Sequence, residues 1–446
     1  MAKVKKKINI DLKQRKQLLK MLGINSIDDI DIEILKRLKN KLVMLTDSRQ
    51  KNKTHYKIWD IVMCVVLASF SECYTWDDIV DFVEKKYNFI RQFLKMTGGI
   101  PTAITYERVF SIIDSKELEQ ILTTFLLDIT MIKDFENDII PFDGRVDCGS
   151  SRKITDFNDE EIITLNCLNA YSTKYSICIG SEKITDKSNE IPAIPLLINR
   201  LKIAGAIVTW DALNTQIKNI EAVVNAKADY VVALKGNQGT FYDEVKEYFD
   251  DKKIEMIVAG NSNSQYKKIE EKSHSNYITY EYFQTNDITW YSDKENWKKL
   301  TTIGLVIKTI ESIVVETVEK KKGKKVIKEK IKRKKLKKEK RYYISSLNLN
   351  IELFSKAIRS HWEVENKLHW HLDFTFKEDD NTTANKNALL NLQLVNKFTL
   401  GVLEQVKPFY NGISLRRIKH NIDMDFENEY INLICYLLLS RYKRQS

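Results

Sequence analysis

The stretch AIVTWD, Ala206–Asp211, is a run of apolar and β-branched residues that ends in an acid. IIPFD, Ile139–Asp143, has the same form. Such runs are what a buried strand needs, and burying a carboxylate at the end of one is costly unless a cation meets it. A single strand-end Asp is as often a turn or helix-cap residue. Two of them, at the ends of the first and fourth strands of one layout, are more specific. Around them the sequence alternates. Ile162–Tyr171 and Tyr175–Lys183 read as strands joined by a turn at Ser172–Lys174. Glu190–Leu201 reads as a helix, Asn214–Asn225 as another, Tyr230–Leu234 as a strand and Gln238–Phe249 as a helix. This succession is a mixed α/β layout.

Outward from this core the texture changes on both sides. Residues 1–45 are charged and helical in pattern, and 46–132 read as a helical domain. In the latter, Tyr56–Phe70 is one apolar helix and Trp76–Lys86 a second, capped by Thr75 with Asp77 and Asp78 in its first turn. Gly98-Gly99-Ile100-Pro101 is a break, followed by helices over Ile104–Ile113 and Lys116–Ile129. Arg108, early in the first of these, makes a helix-turn-helix contact with DNA one reading; ordinary bundle packing is the other. Downstream, about 254–340 is an inserted β region, with strand patterns at Tyr277–Phe283, Thr301–Ile310 and Ile313–Val318. Tyr342–Ser346 follows as a strand, Phe354–Leu372 as one long amphipathic helix, Leu389–Leu403 as another, and 401–446 as a helical tail. Trp362 and Trp370, eight apart on one stripe of that long helix, read as core.

The net charge of +11 comes from one place: Lys320–Arg341 carries fifteen basic residues against Glu329 and Glu339, and the rest of the chain is slightly acidic. So dense a tract binds phosphate by counterion release, or else is a solvated connection. Six cysteines without C-x-x-C spacing or a histidine cluster read as reduced, buried thiols. The longest apolar runs, Ile61–Phe70 and Ile431–Leu439, are too short to span a bilayer. The expected setting is therefore cytoplasmic and free of membrane.

Several blocks beyond the two strand-end acids complete a pattern. They are DSR (Asp47–Arg49), TWDDI (Thr75–Ile79), DGR with GS (Asp143–Arg145, Gly149-Ser150), KSNEIPA (Lys187–Ala193) and WDALNTQ (Trp210–Gln216). DYVVALKGNQ (Asp229–Gln238), RYYISSL (Arg341–Leu347) and IRSHWEVENKLHWHLDFTFKED (Ile358–Asp379) follow in order. Together they resemble the DDE transposases of insertion sequences, in the branch of H-repeat-associated proteins. The resemblance implies a ribonuclease H-like mixed sheet flanked by helices, with a β insertion and an N-terminal helical domain. It places the catalytic domain at about 133–400. Carried onto matching positions, it implies Asp143, Asp211 and Glu365 as catalytic and metal-binding residues. The cofactor would be two Mg²⁺ ions, with Mn²⁺ as a substitute, since hard cations suit carboxylates.

On an ideal helix Asp373 lies ~80° from Glu365 and Glu363 ~200° away, which makes Asp373 the reserve carboxylate. Lys235 and Asn237 after a strand, Lys187 and Asn189 before a helix, and Arg145 and Arg108 are the candidate DNA contacts. The implied partners are double-stranded DNA, both the element's terminal inverted repeats and the target, and a second copy of the chain in a homodimer near the nucleoid. Arg145 and Asn214 stand where the family usually has Lys and His, and of its Gly-His-Gly-Arg stretch only His274 remains. These departures keep open an inactive DNA-binding relative. A stand-alone nuclease is the third alternative.

Overall fold

The computed structural model describes residues 27–445 except 51, 53, 157–158, 185–189, 261–262, 274–275 and 319–327. The chain forms two compact units. The first comprises the residues up to Asp134, Asp143–Asn189 and Glu363 onward; the second comprises Phe135–Phe142 and Glu190–Trp362.

The second unit is built on a sheet. Its strands are β1 (Ile139–Asp156, entering here), β4 (Ile207–Thr209), β5 (Asp229–Leu234), β6 (Ser264–Ser273), β7 (Asn276–Thr285), β8 (Thr302–Val318) and β9 (Lys328–Ser345), in the order β1-β4-β5-β9-β8-β7-β6. β1, β4 and β5 are parallel, with Ile139 opposite Ile207 and Ile207 opposite Asp229. The remaining neighbours are antiparallel. The parallel strands are buried apolar runs, as strands covered on both faces must be. Helix Ile351–His361 lies on this sheet. It starts where the Asn350 side chain accepts from the Leu353 amide at 3.0 Å. Its apolar residues recur as Ile351, Phe354, Ala357 and Ile358, and they pack with Ile139, Ile207, Val231, Tyr282, Val306 and Tyr343. Phe354 comes so close to β8 that a Cβ on Gly304 would stand 2.2 Å from its ring.

β1 passes into the first unit after Phe142. There β2 (Asp159–Ser172) lies beside it, and β3 (Ile177–Ile184) pairs antiparallel with β2, with a bulge between Ala170 and Tyr171. The order β3-β2-β1-β4-β5 is the ribonuclease H-like one, and β6–β9 are the β insertion. The helices of the first unit are Ile27–Leu42, Ile58–Ser69, Trp76–Lys85, Ala103–Ile112, Ser115–Thr130, Lys386–Val406, Leu415–Met424 and Phe426–Gln445, with shorter turns between. Lys386–Val406 is buried over nearly its whole length and packs Leu389 and Leu390 against Leu165 and Cys167 of β2. Thr75 caps as its sequence suggests: its hydroxyl accepts from the Asp78 amide at 3.1 Å, and Asp78 accepts in return from the Thr75 amide at 2.9 Å. Among the described residues Cys64, Cys73, Cys167, Cys178 and Cys435 form no disulfide, and all are buried or half-buried. Among the described residues no helix is long and apolar enough to cross a membrane.

Three expectations change. The basic tract is not a connection from Lys328 onward: it is most of β9, paired along its length with β8 but for one bulge at Leu336. Lysine has low strand propensity, so nothing local announces this; the backbone partners are supplied by β8. The part of the tract at 319–327 lies outside the described residues. Tyr342–Ser346 is accordingly the end of a longer strand. Second, Phe354–Leu372 is not one α-helix. The helix ends at His361, Trp362 turns, Val364–His369 is a π turn, and α-helix resumes over Trp370–Phe374. Third, Trp362 and Trp370 are not core: they are 42% and 48% exposed. The break and the π turn remove the common stripe on which a 3.6-residue period would have placed them.

Candidate active site

Asp211 follows β4 directly. Trp210 before it is fully buried, and its indole N–H donates to the Thr215 hydroxyl at 3.2 Å, which donates in turn to the Ala233 carbonyl of β5 at 2.6 Å. With the tryptophan held inside, strand alternation turns the next side chain outward. The Asp211 side chain is 68% exposed and caps nothing. Its Oδ1 lies 3.5 Å from Nε2 of His361, whose Nδ1 meets the buried Thr209 hydroxyl at 3.2 Å. His361, then Lys235 and Arg341, hold the Asp211 carboxyl below its ordinary range, so it is ionised at neutral pH. The carboxylate opens on a cleft of about 380 Å³ lined also by Lys235, Lys340, Arg341, His361 and Trp362. The Arg341 guanidinium covers the Trp362 ring at 5.2 Å.

The LKGNQ loop after β5 braces this site. Asn237 donates its side-chain N–H to the Ala212 carbonyl at 3.0 Å, and Gln238 donates to the Thr215 carbonyl. Both tie down the loop that carries Asp211. Lys235 is exposed and unneeded for that task. Asn214 is buried and donates to Glu190 at 2.6 Å. Lys187 and Asn189 lie outside the described residues, as does His274.

Asp143 is the first residue of β1 in the first unit, and Phe142 before it, the last in the second, is fully buried. His369 Nδ1 is 3.6 Å from its Oδ2. The proton on that nitrogen follows from the groups behind it. Lys397 has only donors, and it donates to Asn169 Oδ1 at 2.7 Å, as does Ser181 at 2.9 Å. The Asn169 amide is thereby fixed with its N–H₂ toward His369 Nε2, 3.3 Å away. Nε2 must accept, so the proton is on Nδ1, facing Asp143. Burial first, then Arg145 and Lys397, push the His369 imidazole down to about 3, which keeps it neutral. Sequence reasoning missed Asn169, Lys397 and the part played by His369. They lie on β2, on helix Lys386–Val406 and in the π turn, and only the fold joins them.

Arg145, two residues on from Asp143, is a buried ion-pair centre; its side chain is 8% exposed. Its Nε donates to Asp373 at 3.1 Å, its Nη1 to Glu378 at 2.5 Å, and its Nη2 to Asp373 as well. Asn396 donates to the other Glu378 oxygen at 2.9 Å. The reserve carboxylate Asp373 is thus engaged by a guanidinium, and burial raises its carboxyl above the ordinary range despite that partner. Glu365 is exposed on the π turn, Glu363 pairs with Lys367 at 2.5 Å, and Arg108 is exposed on helix Ala103–Ile112. His371 turns away to Thr375 and Glu404, so it and His369 share no site.

Among the described residues no three or more His, Cys, Asp or Glu side chains already form a metal cluster. Taken one by one, the carboxylates fit a hard divalent cation. Asp211 is ionised and open to solvent, Glu365 is exposed, and Asp143 has one oxygen 3.6 Å from the His369 ring.

The sheet is ribonuclease H-like, with Asp143 on its first strand and Asp211 just past its fourth. The family described as Transposase DDE domain matches residues 108–395, and that described as DDE_Tnp_1-associated matches 39–126. The chain belongs to the DDE transposase family. Within it, two relatives are described as H repeat-associated. "H repeat-associated putative transposase YhhI" of Escherichia coli K12 is 31% identical over 397 residues, 88% of this chain and 97% of its own length. "H repeat-associated putative transposase YbfD" of the same strain is 33% identical over 240 residues, 54% of this chain and 90% of its own. "Inactive transposase YbfQ", also from that strain, is 35% identical over 77 residues, 17% of this chain and 92% of its own. Among solved structures, a piggyBac transposase synaptic complex with hairpin DNA aligns at 10% identity with a TM-score of 0.35, over 97% of this chain and 82% of that one.

Proposed function

We propose that this chain is a working transposase: it cleaves the 3′ ends of an insertion element in double-stranded DNA and joins them to target DNA. The observation that carries this reading is Asp211, an ionised and exposed carboxylate at the end of β4, beside a cleft with Lys235, Lys340 and Arg341 on its walls. Asp143, Asp211 and Glu365 are the proposed catalytic residues and would hold two Mg²⁺, or Mn²⁺, ions. Bound there, the ions would activate the attacking oxygen and stabilise the departing one.

The chain's own groups prepare the carboxylates. His361 keeps Asp211 ionised and oriented from one side. The neutral His369 presents Nδ1–H to one Asp143 oxygen and so sets the direction of the other. Lys235, Lys340 and Arg341 offer charge to the phosphodiester backbone. Helices within 46–132 are the proposed reader of the element's ends, with Arg108 on an exposed face; the 133–400 region does the chemistry. We place the enzyme in the bacterial cytoplasm at the nucleoid, acting as a homodimer.

The test is cleavage and strand transfer on duplex DNA carrying the element's ends, with Mg²⁺. Asp143→Asn and Asp211→Asn should each remove cleavage by a hundredfold or more, on the order expected for loss of a charge ligand at a reacting phosphate, and should leave binding in place. Undiminished cleavage in either variant refutes its assignment. Binding without cleavage at any Mg²⁺ or Mn²⁺ concentration would mark a DNA-binding relic, and cleavage without joining a nuclease.

A further inference from the structure

The π turn decides which side chains share a face with Glu365. In an α-helix a residue five positions on is rotated ~140° about the axis, so Trp370 would point away from Glu365. Here the Trp370 amide donates to the Glu365 carbonyl, the i→i+5 bond of a π turn. Trp370 therefore stands one turn beyond Glu365 on the same side. Phe374 follows four residues later on resumed α-helix, and its ring stacks on Trp370 at 4.6 Å with 22° between planes. All three side chains are exposed, the two aromatic ones at 48% each. The Arg416 guanidinium lies over the Phe374 ring at 5.4 Å, and His371 meets Trp370 edge-on at 4.8 Å.

Two stacked rings left half in water bury little apolar area for the chain itself. Their arrangement suits a flat, aromatic ligand with a negative backbone: the rings offer a π surface, and the adjacent cation offers charge. We propose that Trp370 and Phe374, with Arg416, form a stacking platform for an unpaired base of a DNA strand, aligned by the π turn with Glu365. The proposal rests on the function proposed above for the role of Glu365, not for the stacking. The platform would hold a strand by its bases without reading their sequence, because every base has a π face.

The experiment uses the full chain in metal-free buffer and a 12-nucleotide single strand with 2-aminopurine at its centre. The wild type should bind the strand and quench the 2-aminopurine. Trp370→Ala should weaken binding about tenfold, the scale of one base–aromatic stack, and abolish the quench. Phe374→Ala should do so in part, and Trp370→Phe should keep most of both. An unchanged melting temperature in each variant confirms an intact fold. The proposal is overturned if Trp370→Ala binds and quenches like wild type, or if the wild type does not bind the single strand. It is also overturned if Trp370→Ala turns a dimer into a monomer in sedimentation, which would make the rings a contact between copies. Because no metal or cleavage enters this readout, its failure is separate from a failure of cleavage and joining at element ends.

Discussion

Replacing Arg145 by Met removes the cation from a buried cluster while keeping most of the side chain's volume. Asp373, Glu378 and, at 3.8 Å, the exposed Asp379 lose their partner, and the first two differ in what they lose. The Asp373 side chain is 39% exposed and can turn to water, whereas that of Glu378 is 3% exposed and keeps the Asn396 amide. Breaking a buried pair by deleting one member costs about 3–5 kcal/mol. With Asp373 partly rehydrated, the lower figure applies, about 3 kcal/mol. A chain of two compact units need not unfold in one step. The assay is therefore native-state hydrogen exchange on peptides covering β1 near Asp143–Asp147 and the segment Asp373–Asp380. A loss of about 3 kcal/mol in local opening corresponds to exchange roughly a hundredfold faster. Arg145→Lys keeps the charge but not the planar fork and should fall between. The double variant Arg145→Met with Glu378→Gln should recover part of the loss, since no buried charge is left stranded. Exchange within about twofold of wild type in Arg145→Met would refute the argument that this cluster clamps the strand of Asp143.

Two further variants test the packing and the relay. Gly304→Ala should lower stability by about 1–3 kcal/mol, the scale of overpacking, because its Cβ would meet the Phe354 ring at 2.2 Å and the Phe283 carbonyl at 2.9 Å. Thermal melting reads this, and an unshifted transition contradicts it. His369 is held down to about 3 by burial, against an ordinary value of 6.5. The unfolded chain then binds the extra proton first, so the stability this group contributes is complete above about pH 6.5 and is lost as pH falls toward 3. The slope is at most about 1.4 kcal/mol per pH unit, and His369→Gln should flatten it when urea unfolding is compared at pH 7.5 and pH 5. An identical pH dependence in the variant contradicts the buried neutral imidazole.

Much of this architecture was legible in the residues because it follows from local patterns. The apolar runs leading into Asp143 and Asp211 are strands, since alternation and burial are properties of the run itself; Asp211 lies just past its strand, whereas β1 continues beyond Asp143 to Asp156. Thr75 with Asp78 is a cap because both partners lie within one turn. The inserted strands β7 and β8 show their β-branched and aromatic residues directly. The basic strand β9 does not, because its lysines favour no strand and its backbone partners are supplied by β8. The long helix misread at Trp362 fails for a related reason: a 3.6-residue period extrapolated through IRSHWEVENKLHW cannot register a turn and a π bond.

The sequence alone determined the family and the apolar runs that lead into Asp143 and Asp211, because each depends on residues adjacent in the chain. Tertiary structure alone decided the surroundings of those carboxylates. It placed Lys397 and Asn169 behind His369, His361 beside Asp211, Arg145 between Asp373 and Glu378, and Trp370 in line with Glu365. The physical reason is that tautomers, buried ion pairs and exposed rings are set by groups brought together across hundreds of residues. No periodicity within a single segment encodes that meeting.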